Sequence, residues 1–540
     1  MASVIGKRRN GQTYYYLAKS ARVDGEPRIV SQRYLGTAED IERAFDGGAA
    51  APPRDSRRLA FGDVAAVWST VDKLGLVRLV DAAVGPQRAK VSVGTYLALA
   101  VLHRATAPNT SLRRWWPGTA ADRFVRPRLA RAAVTEDRCW RALQRLTREH
   151  LDRIEAAVCA AVGERLPGPA LALDVPNFAT FTGADPNRAG HEAALHGLGL
   201  VVTMDGAVPL VASGYRRNRP GIASFGALAE ELAGRHCAMT GAGEVTLVFD
   251  TGQYSQLDLS SGRHFVGSLP LGDHPELLAR PASARRPVDP ERFPGVTALD
   301  TRATVAGARR RLVLTHSPTL HAAQARGFAQ ALSNATRELE GLAAALDSGA
   351  YRHGREQVLS DIARITRARR VDRVLPTEVT GTKPGSIRLA WRIDEAARAR
   401  LDEEFFGKQL LVTDHEDWPL PDVITAYRAR YHLDSTFRRL NDPFVAGPAP
   451  RWCWTEDRIT VHALVCVLAA AVTHLMRREA DRAGLNLSVR ELMDQLAGIG
   501  ETLLRYPSTG GRPRTHRLLT DRDETQQRLF DLFNLAAYAP

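Results

Sequence analysis

The chain is poor in the residues that staple or metallate small domains. Its five cysteines, Cys139, Cys159, Cys237, Cys453 and Cys466, are scattered over 540 residues without a Cys-x2-Cys pair, which excludes a disulfide framework and a zinc module. His236-Cys237 reads as structural rather than as a ligand pair. Lysine occurs at only six positions, so arginine carries most of the positive charge. There is no glycine-rich phosphate cradle, no serine or cysteine nucleophile constellation and no internal repeat, which leaves ATP hydrolysis and acyl transfer without support. Long apolar runs are scarce too. Val461 to Met476, interrupted by His462 and Thr473, falls short of the roughly 20 residues of a membrane span and reads as a buried helix. The basic opening Met1-Ala-Ser-Val-Ile-Gly-Lys-Arg-Arg9 is followed by no apolar stretch, so no signal peptide, no membrane partner and a cytoplasmic, nucleoid-associated location are expected.

What is present is length and positive charge. A chain of 540 residues has room for two to four domains with ample core. A net charge of +13 and a pI near 9.8 favour a polyanionic partner, because phosphate neutralisation releases counterions. The preference for arginine over lysine has a competing origin in genome composition, which does not account for the net charge.

Tyr427-Arg-Ala-Arg-Tyr-His-Leu-Asp434-Ser-Thr-Phe-Arg-Arg-Leu-Asn441 is the most informative stretch. At 3.6 residues per turn, positions 427, 430, 434, 437, 438 and 441 share a helix face, which puts a carboxylate among arginines. Carboxylates converging there would hold metal while the arginines hold phosphate. Two upstream acids qualify. Leu171-Ala-Leu-Asp174 follows the turn-prone Pro167-Gly168-Pro169, and Val245-Thr-Leu-Val-Phe-Asp250 precedes Thr251-Gly252; both read as buried strands ending in an acid. Between them, two strands flank Asp205-Gly206 as a tight hairpin, and a helix is expected near Phe225 to Leu232. Strand with Asp, hairpin, helix, strand with Asp, long insertion and helix with Asp is the order of a ribonuclease-H-like catalytic core.

On these residues the chain resembles bacterial insertion-sequence transposases of the DDE type that carry a large insertion domain and a Tyr-x2-Arg-x3-Glu-x6-Lys signature. Tyr427 and Arg430 match that signature, Asp434 stands at the Glu position and Asn441 at the Lys position. Gly11-Gln-Thr-Tyr-Tyr-Tyr16, Ser31-Gln-Arg-Tyr-Leu-Gly36, Phe249-Asp-Thr-Gly252 and Arg458-Ile-x2-His462 extend the likeness along the chain. The departures lie at Val175-Pro176-Asn177, where the family places Thr after the first acid, and at Arg217-Asn-Arg-Pro-Gly221, which keeps an Asn and loses an Asp. Replacing Glu by Asp shortens the reach by about 1.5 Å, and misplacing a catalytic group by about 1 Å costs on the order of 100-fold.

The resemblance implies a mixed α/β, ribonuclease-H-like sheet flanked by helices and interrupted by a large α+β insertion, preceded by a small β module and a helical domain. The segments expected are an N-terminal β-hairpin module at 1–48, a helical DNA-end-binding region at 58–166, a first core segment at 167–270, an insertion at 271–415, and a second core segment at 416–540 with the catalytic helix and C-terminal helices. Residues 49–57 read as a linker. Implied chemistry is DNA strand cleavage and transfer by Asp174, Asp250 and Asp434 holding two Mg²⁺ or Mn²⁺ ions. Tyr427, Arg430, Arg438 and Asn441 would contact double-stranded DNA, transposon end and target alike, and a homodimer would assemble on it. Arg113 and Arg114, beside Trp115-Trp116, and Trp391 are further DNA-binding candidates, each with a packing role as the competing reading. Arg364, Arg367, Arg369, Arg370 and Arg373 either follow a phosphate backbone or coat a solvated helix. Two rivals stay open: a decayed or host-adopted DNA-binding protein without strand transfer, and a nuclease for RNA or branched DNA.

Overall fold

The computed structural model describes residues 2–9, 11–23, 26–45, 53–108, 110–166, 168–181, 193–216, 225–241, 245–251, 263–441, 456–506 and 515–540. In chain order the elements are β1 (Ala2–Arg9), β2 (Gln12–Val23), β3 (Glu26–Gly36), α1 (Ala38–Phe45), β4 (Asp55–Ala60), α2 (Gly62–Leu74), α3 (Leu76–Val84), α4 (Val93–Thr106), α5 (Leu112–Trp115), α6 (Glu136–Leu143) and α7 (Arg148–Gly163). Next come β5 (Ala170–Phe181), β6 (Ala193–Thr203), β7 (Pro209–Arg216), α8 (Phe225–Thr240), β8 (Val245–Phe249), β9 (Phe265–Leu269), α9 (Pro275–Leu278), β10 (Arg286–Pro287), β11 (Thr297–Val305) and β12 (Ala308–His316). The remainder is α10 (Pro318–Asp347), α11 (Arg355–Thr366), β13 (Thr377–Thr380), β14 (Arg388–Trp391), α12 (Glu395–Phe405), β15 (Lys408–Thr413), α13 (Leu420–Asn441), α14 (Glu456–Arg482), α15 (Val489–Gly498), β16 (Gly500–Arg505), β17 (Thr515–Leu519) and α16 (Glu524–Leu532).

The architecture is mixed α/β. Contacts divide it into two compact units, one of residues 1–65, 117–124 and 495–540, the other of 66–116 and 125–494. In the first, β1, β2 and β3 form an antiparallel sheet, so the expected N-terminal hairpin gains a third strand. Asp55 to Ala60, the end of the expected linker, is instead strand β4; it pairs with β16, which pairs with β17, so the C-terminal region is not helical throughout. Arg123 and Arg517 both form ion pairs with the fully buried Glu501 of β16.

The second unit is built on a nine-stranded sheet in the order β10-β11-β12-β15-β9-β8-β5-β6-β7. Only β9/β8 and β8/β5 are parallel. β15, within the segment 271–415 expected as the insertion, pairs with β9 in this sheet, and β10, β11 and β12 from the same segment lie in it too. β5 shifts register between Val175 and Phe178, across Pro176, where a proline without an N–H interrupts the ladder. The loop from Thr203 to Pro209 is wider than a two-residue turn: Gly206 and Ala207 take positive φ, and Asp205 accepts from Arg478. Gly199 of β6 lies under α8, where a Cβ would meet Leu228 and Leu232 at 2.7 Å.

Residues 318–406 enclose a core of their own, with Phe328, Leu339, Val358, Val371, Ile387 and Phe405. Helix α11 ends at Thr366, three residues before Arg369 and Arg370 adopt left-handed φ of 52° and 63°. In the helical region, α6 and α7 are separate, the second opened by a Thr147 and His150 capping box. Within α14, Thr460–Arg482 is, contrary to the sequence reading, long and apolar enough to cross a membrane; 78% of its most apolar window is buried inside the protein, as in a core helix.

Candidate functional site

Every residue of β8 is buried, and Asp250 follows its last residue, Phe249. Phe249 is paired with Gly267 of β9, and a Cβ at Gly267 would lie 2.1 Å from the Phe249 ring. The bare glycine thus admits the ring, which fixes where β8 ends and where its acid begins.

Helix α13 starts with Pro421 and Asp422 in its first turn, both favourable beside exposed N–H groups. Val423, Ile424, Ala426, Tyr427, Ala429 and Leu433 form its buried stripe, which lies on β5, β8 and β9. Tyr427 is 4% exposed and bonded to Ser268 of β9; burial first, then Tyr431, pushes its phenol above the ordinary range. Tyr431 donates to Tyr427 and accepts from Gln409 of β15 at 2.6 Å. These contacts set the rotation of α13.

One turn beyond Tyr427, Arg430 Nη2 donates to Asp250 Oδ2 at 2.5 Å. Burial works against the Arg430 charge, yet Asp250, and after it Asp434, outweigh burial and hold the guanidinium above its usual range. Asp434 is 9% exposed and lies four residues along from Arg430. The next turn is tied to α14, where Thr436 Oγ1 meets His474 Nε2 at 2.9 Å and His474 Nδ1 meets the Gly206 carbonyl at 3.0 Å. Burial, and then Arg477, holds His474 down to about 3, so it stays neutral.

Asp174 lies one residue past the Leu173–Val248 pairing of the parallel ladder, and Asp250 two past it, so both acids sit just beyond the same rung of adjacent strands. The side chains of Asp174, Arg438 and Asn441 are outside the described residues; Arg438 and Asn441 occupy the last turn of α13. Arg217-Asn-Arg-Pro-Gly221 is also outside them.

The other candidates lie elsewhere. Arg113 and Arg114 are exposed on α5, while Trp115 and Trp116 are buried, with rings 6.1 Å apart. Trp391 on β14 packs half-buried against the core of 318–406. In the arginine cluster, Arg364 pairs with Glu338, the Arg369 guanidinium lies over Gly327, and Arg370 and Arg373 stack on Phe405 at 4.4 and 5.2 Å. These arginines therefore have packing roles on the inserted core, although their surfaces are exposed.

Sequence reasoning missed a second cluster at the opposite end of β8 and β9. His264 Nδ1 meets Asp414 Oδ2 at 3.0 Å, the Phe265 N–H donates to Asp414 Oδ1 at 2.8 Å, and His415 Nε2 meets Thr246 Oγ1 at 2.9 Å. One ligand atom from each of His264, Asp414 and His415 falls within 4.8 Å of the others. The rings, however, are stacked: His264 lies 4.4 Å from His415 at 22°, and Trp418 covers His415 at 3.7 Å and 13°. Near-parallel imidazoles aim their in-plane lone pairs side by side rather than at one point, so the arrangement is a stacked corner and not a tetrahedral cage. Since 150 residues separate His264 from Asp414, no spacing signal announces it.

No protein-family model matches the chain, and no curated protein matches it. Among solved structures it is similar to a cryo-EM structure of a piggyBac transposase synaptic complex with hairpin DNA, at 8% identity and a TM-score of 0.31, covering 81% of this chain and 78% of that one. A superposition that loose carries no argument about chemistry.

Proposed function

We propose that the chain is a DDE-type DNA transposase whose ribonuclease-H-like core consists of β5 to β9 with α8 and α13, and whose acids are Asp174, Asp250 and Asp434. The observation that carries this reading is Arg430. It draws Asp250, at the tip of β8, and Asp434, on α13, into one charge cluster, although 180 residues separate Arg430 from Asp250. The strand order supports it: β5, β6 and β7 run antiparallel in sequence order, and β8 and β9 add in parallel beside β5.

Carboxylates are hard oxygen donors and suit Mg²⁺ or Mn²⁺. Arg430 engages Asp250 through Oδ2. When bound, two ions would supply charge neutralisation at the scissile phosphate and an activated oxygen nucleophile. The chain's residues do the positioning. Tyr427 and Ser268 fix the rotation of α13, Arg430 orients Asp250, and in this reading Arg430, Arg438 and Asn441 of α13 would contact DNA phosphates. In this reading the partner is double-stranded DNA, bound by a homodimer in the cytoplasm, with residues 58–166 gripping the ends and 271–415 inserted into the core.

The test is metal-dependent cleavage of labelled DNA carrying the gene's own flanking sequence, comparing wild type with Asp434→Ala and Asp434→Glu. Product from wild type that vanishes in the alanine variant supports the assignment. Absence of product from wild type, with activity appearing in the glutamate variant, would mean a preserved core whose chemistry has been lost.

A further inference from the structure

The N-terminal sheet is built unlike the rest of the chain. Val4, Ile29, Val30 and Tyr34 are each more than half exposed, and among the described side chains of its strands only Ala18 is fully buried. A sheet this uncovered has a face waiting for a partner.

Alternation along β2 separates the two faces. Tyr14, Tyr16 and Ala18 share one, and there Tyr16 and Tyr34 lie 5.3 Å apart, while Lys7 stands over Tyr16 and donates to Gln32 at 3.0 Å. That face is knit to itself. Thr13, Leu17, Lys19 and Ala21 share the other, and register adds Arg8 opposite Thr13, Arg33 opposite Leu17 and Arg28 opposite Ala21. This face therefore carries Arg8, Lys19, Arg28 and Arg33, all exposed; register also places one acid on it, Glu26 opposite Val23, whose side chain is outside the described residues. Elsewhere arginines find carboxylates, as in Arg235 with Glu155, Arg302 with Glu416 and Arg311 with Asp300. Among the described residues, no carboxylate forms an ion pair with these four.

Four like charges at different rungs of a three-stranded sheet repel one another, and an ordered array of phosphates removes that repulsion. The dimensions agree with a duplex. Outer strands two spacings apart are separated by about 10 Å, inside the roughly 12 Å width of the B-form major groove. We propose that the arginine-bearing face of β1, β2 and β3 seats in the major groove of double-stranded DNA. The proposal rests on the DNA-processing reading above for the identity of the polyanion.

The test is metal-free binding of the full chain to a labelled DNA duplex over a salt series, with an RNA duplex of the same sequence alongside. The variant is Arg8→Ser, Lys19→Ser, Arg28→Ser and Arg33→Ser combined, with Lys7→Ser as the opposite-face control. At about 0.1 M salt the combined variant loses at least tenfold in DNA affinity, and its log–log salt slope is shallower by about 3. RNA binding is unchanged, because the A-form major groove is too deep and narrow to admit the sheet. Unaltered DNA binding by the variant, equal losses on DNA and RNA, or no duplex binding by wild type would each overturn the proposal. Melting temperature checks folding; if the combined variant is unfolded, the Arg8/Lys19 and Arg28/Arg33 doubles are measured instead. Cleavage is read separately. Failure of the catalytic reading appears as no metal-dependent product with the variant still defective in binding, and failure of the sheet proposal appears as cleavage and binding by the variant equal to wild type.

Discussion

The two ends of the β8–β9 strand pair hold similar ingredients arranged to opposite effect. At one end Asp250, partly exposed, and Asp434, buried, are gathered around Arg430 by charge. At the other, Asp414 is bonded to His264 and to a backbone N–H, while His415 is clamped between His264 and Trp418 by ring stacking. Carboxylates set around a counter-charge suit the cation and phosphate of the proposed function, whereas rings stacked face to face hold strand ends together. Proximity of ligand atoms alone does not separate the two; direction does.

Acidification breaks the comparison hardest. Behind the carboxylate end, burial holds His432 at about 4 and His474 at about 3, both below the ordinary value of 6.5. The unfolded chain takes up protons that the folded chain refuses, so stability is full above pH 6.5 and falls as pH drops toward 4. At pH 4.5 the loss from this pair is on the order of 5 kcal/mol. Amide exchange rising in α13 and α14 before β9 would bear this out, and His474→Gln would flatten the profile; a flat profile in the wild type would refute it.

Arg430→Ala should cost about 3 kcal/mol, at the low end for a broken buried pair because Asp250 is partly exposed. Chemical denaturation measures this, and the double variant Arg430→Met with Asp250→Asn should recover some of it. Equal midpoints for wild type and Arg430→Ala would show that charge does not gather the acids.

Gly267→Ala should cost about 2 kcal/mol, since the added methyl collides with Phe249 and the chain must shift. Its cleavage rate should fall as well, through displaced Asp250. A fall in stability without a fall in rate would place Asp250 outside the chemistry.

The smallest effect sharpens the contrast. His264→Ala should leave metal-dependent cleavage unchanged within about twofold and remove the stacking on His415 and the hydrogen bond to Asp414, together about 1.5 kcal/mol. A large loss of Zn²⁺ or Mn²⁺ binding in that variant would turn the stacked corner into a metal site.

Local features were legible in the sequence. The strand ending at Asp250, the hairpin around Asp205-Gly206, the helix from Phe225 and the helix bearing Asp434 follow from periodicity, turn residues and breakers, which act within a few residues, whereas the strand read as ending in Asp174 runs on to Phe181. Two features were not legible for the same physical reason. β4 pairs with β16 across some 440 positions, and β15 joins β9 across residues 270–407; each depends on a distant partner's edge rather than on the strand's own pattern, whereas β1 pairs with β2, its neighbour in the chain.

The sequence by itself determined most of the strand and helix segments, the strong positive charge, and the acid that follows β8, because dihedral preference and hydrophobic alternation are local. Only the tertiary structure decided which charges meet. Arg430 reaches Asp250 because β8 and β9 run parallel under α13 and Tyr427 fixes that helix's rotation, while His264, Asp414 and His415 come together because β15 runs antiparallel to β9 and brings its end back to where β9 begins. Coulomb and stacking energies act over a few ångströms, and strand order alone brings residues so far apart in the chain within that distance.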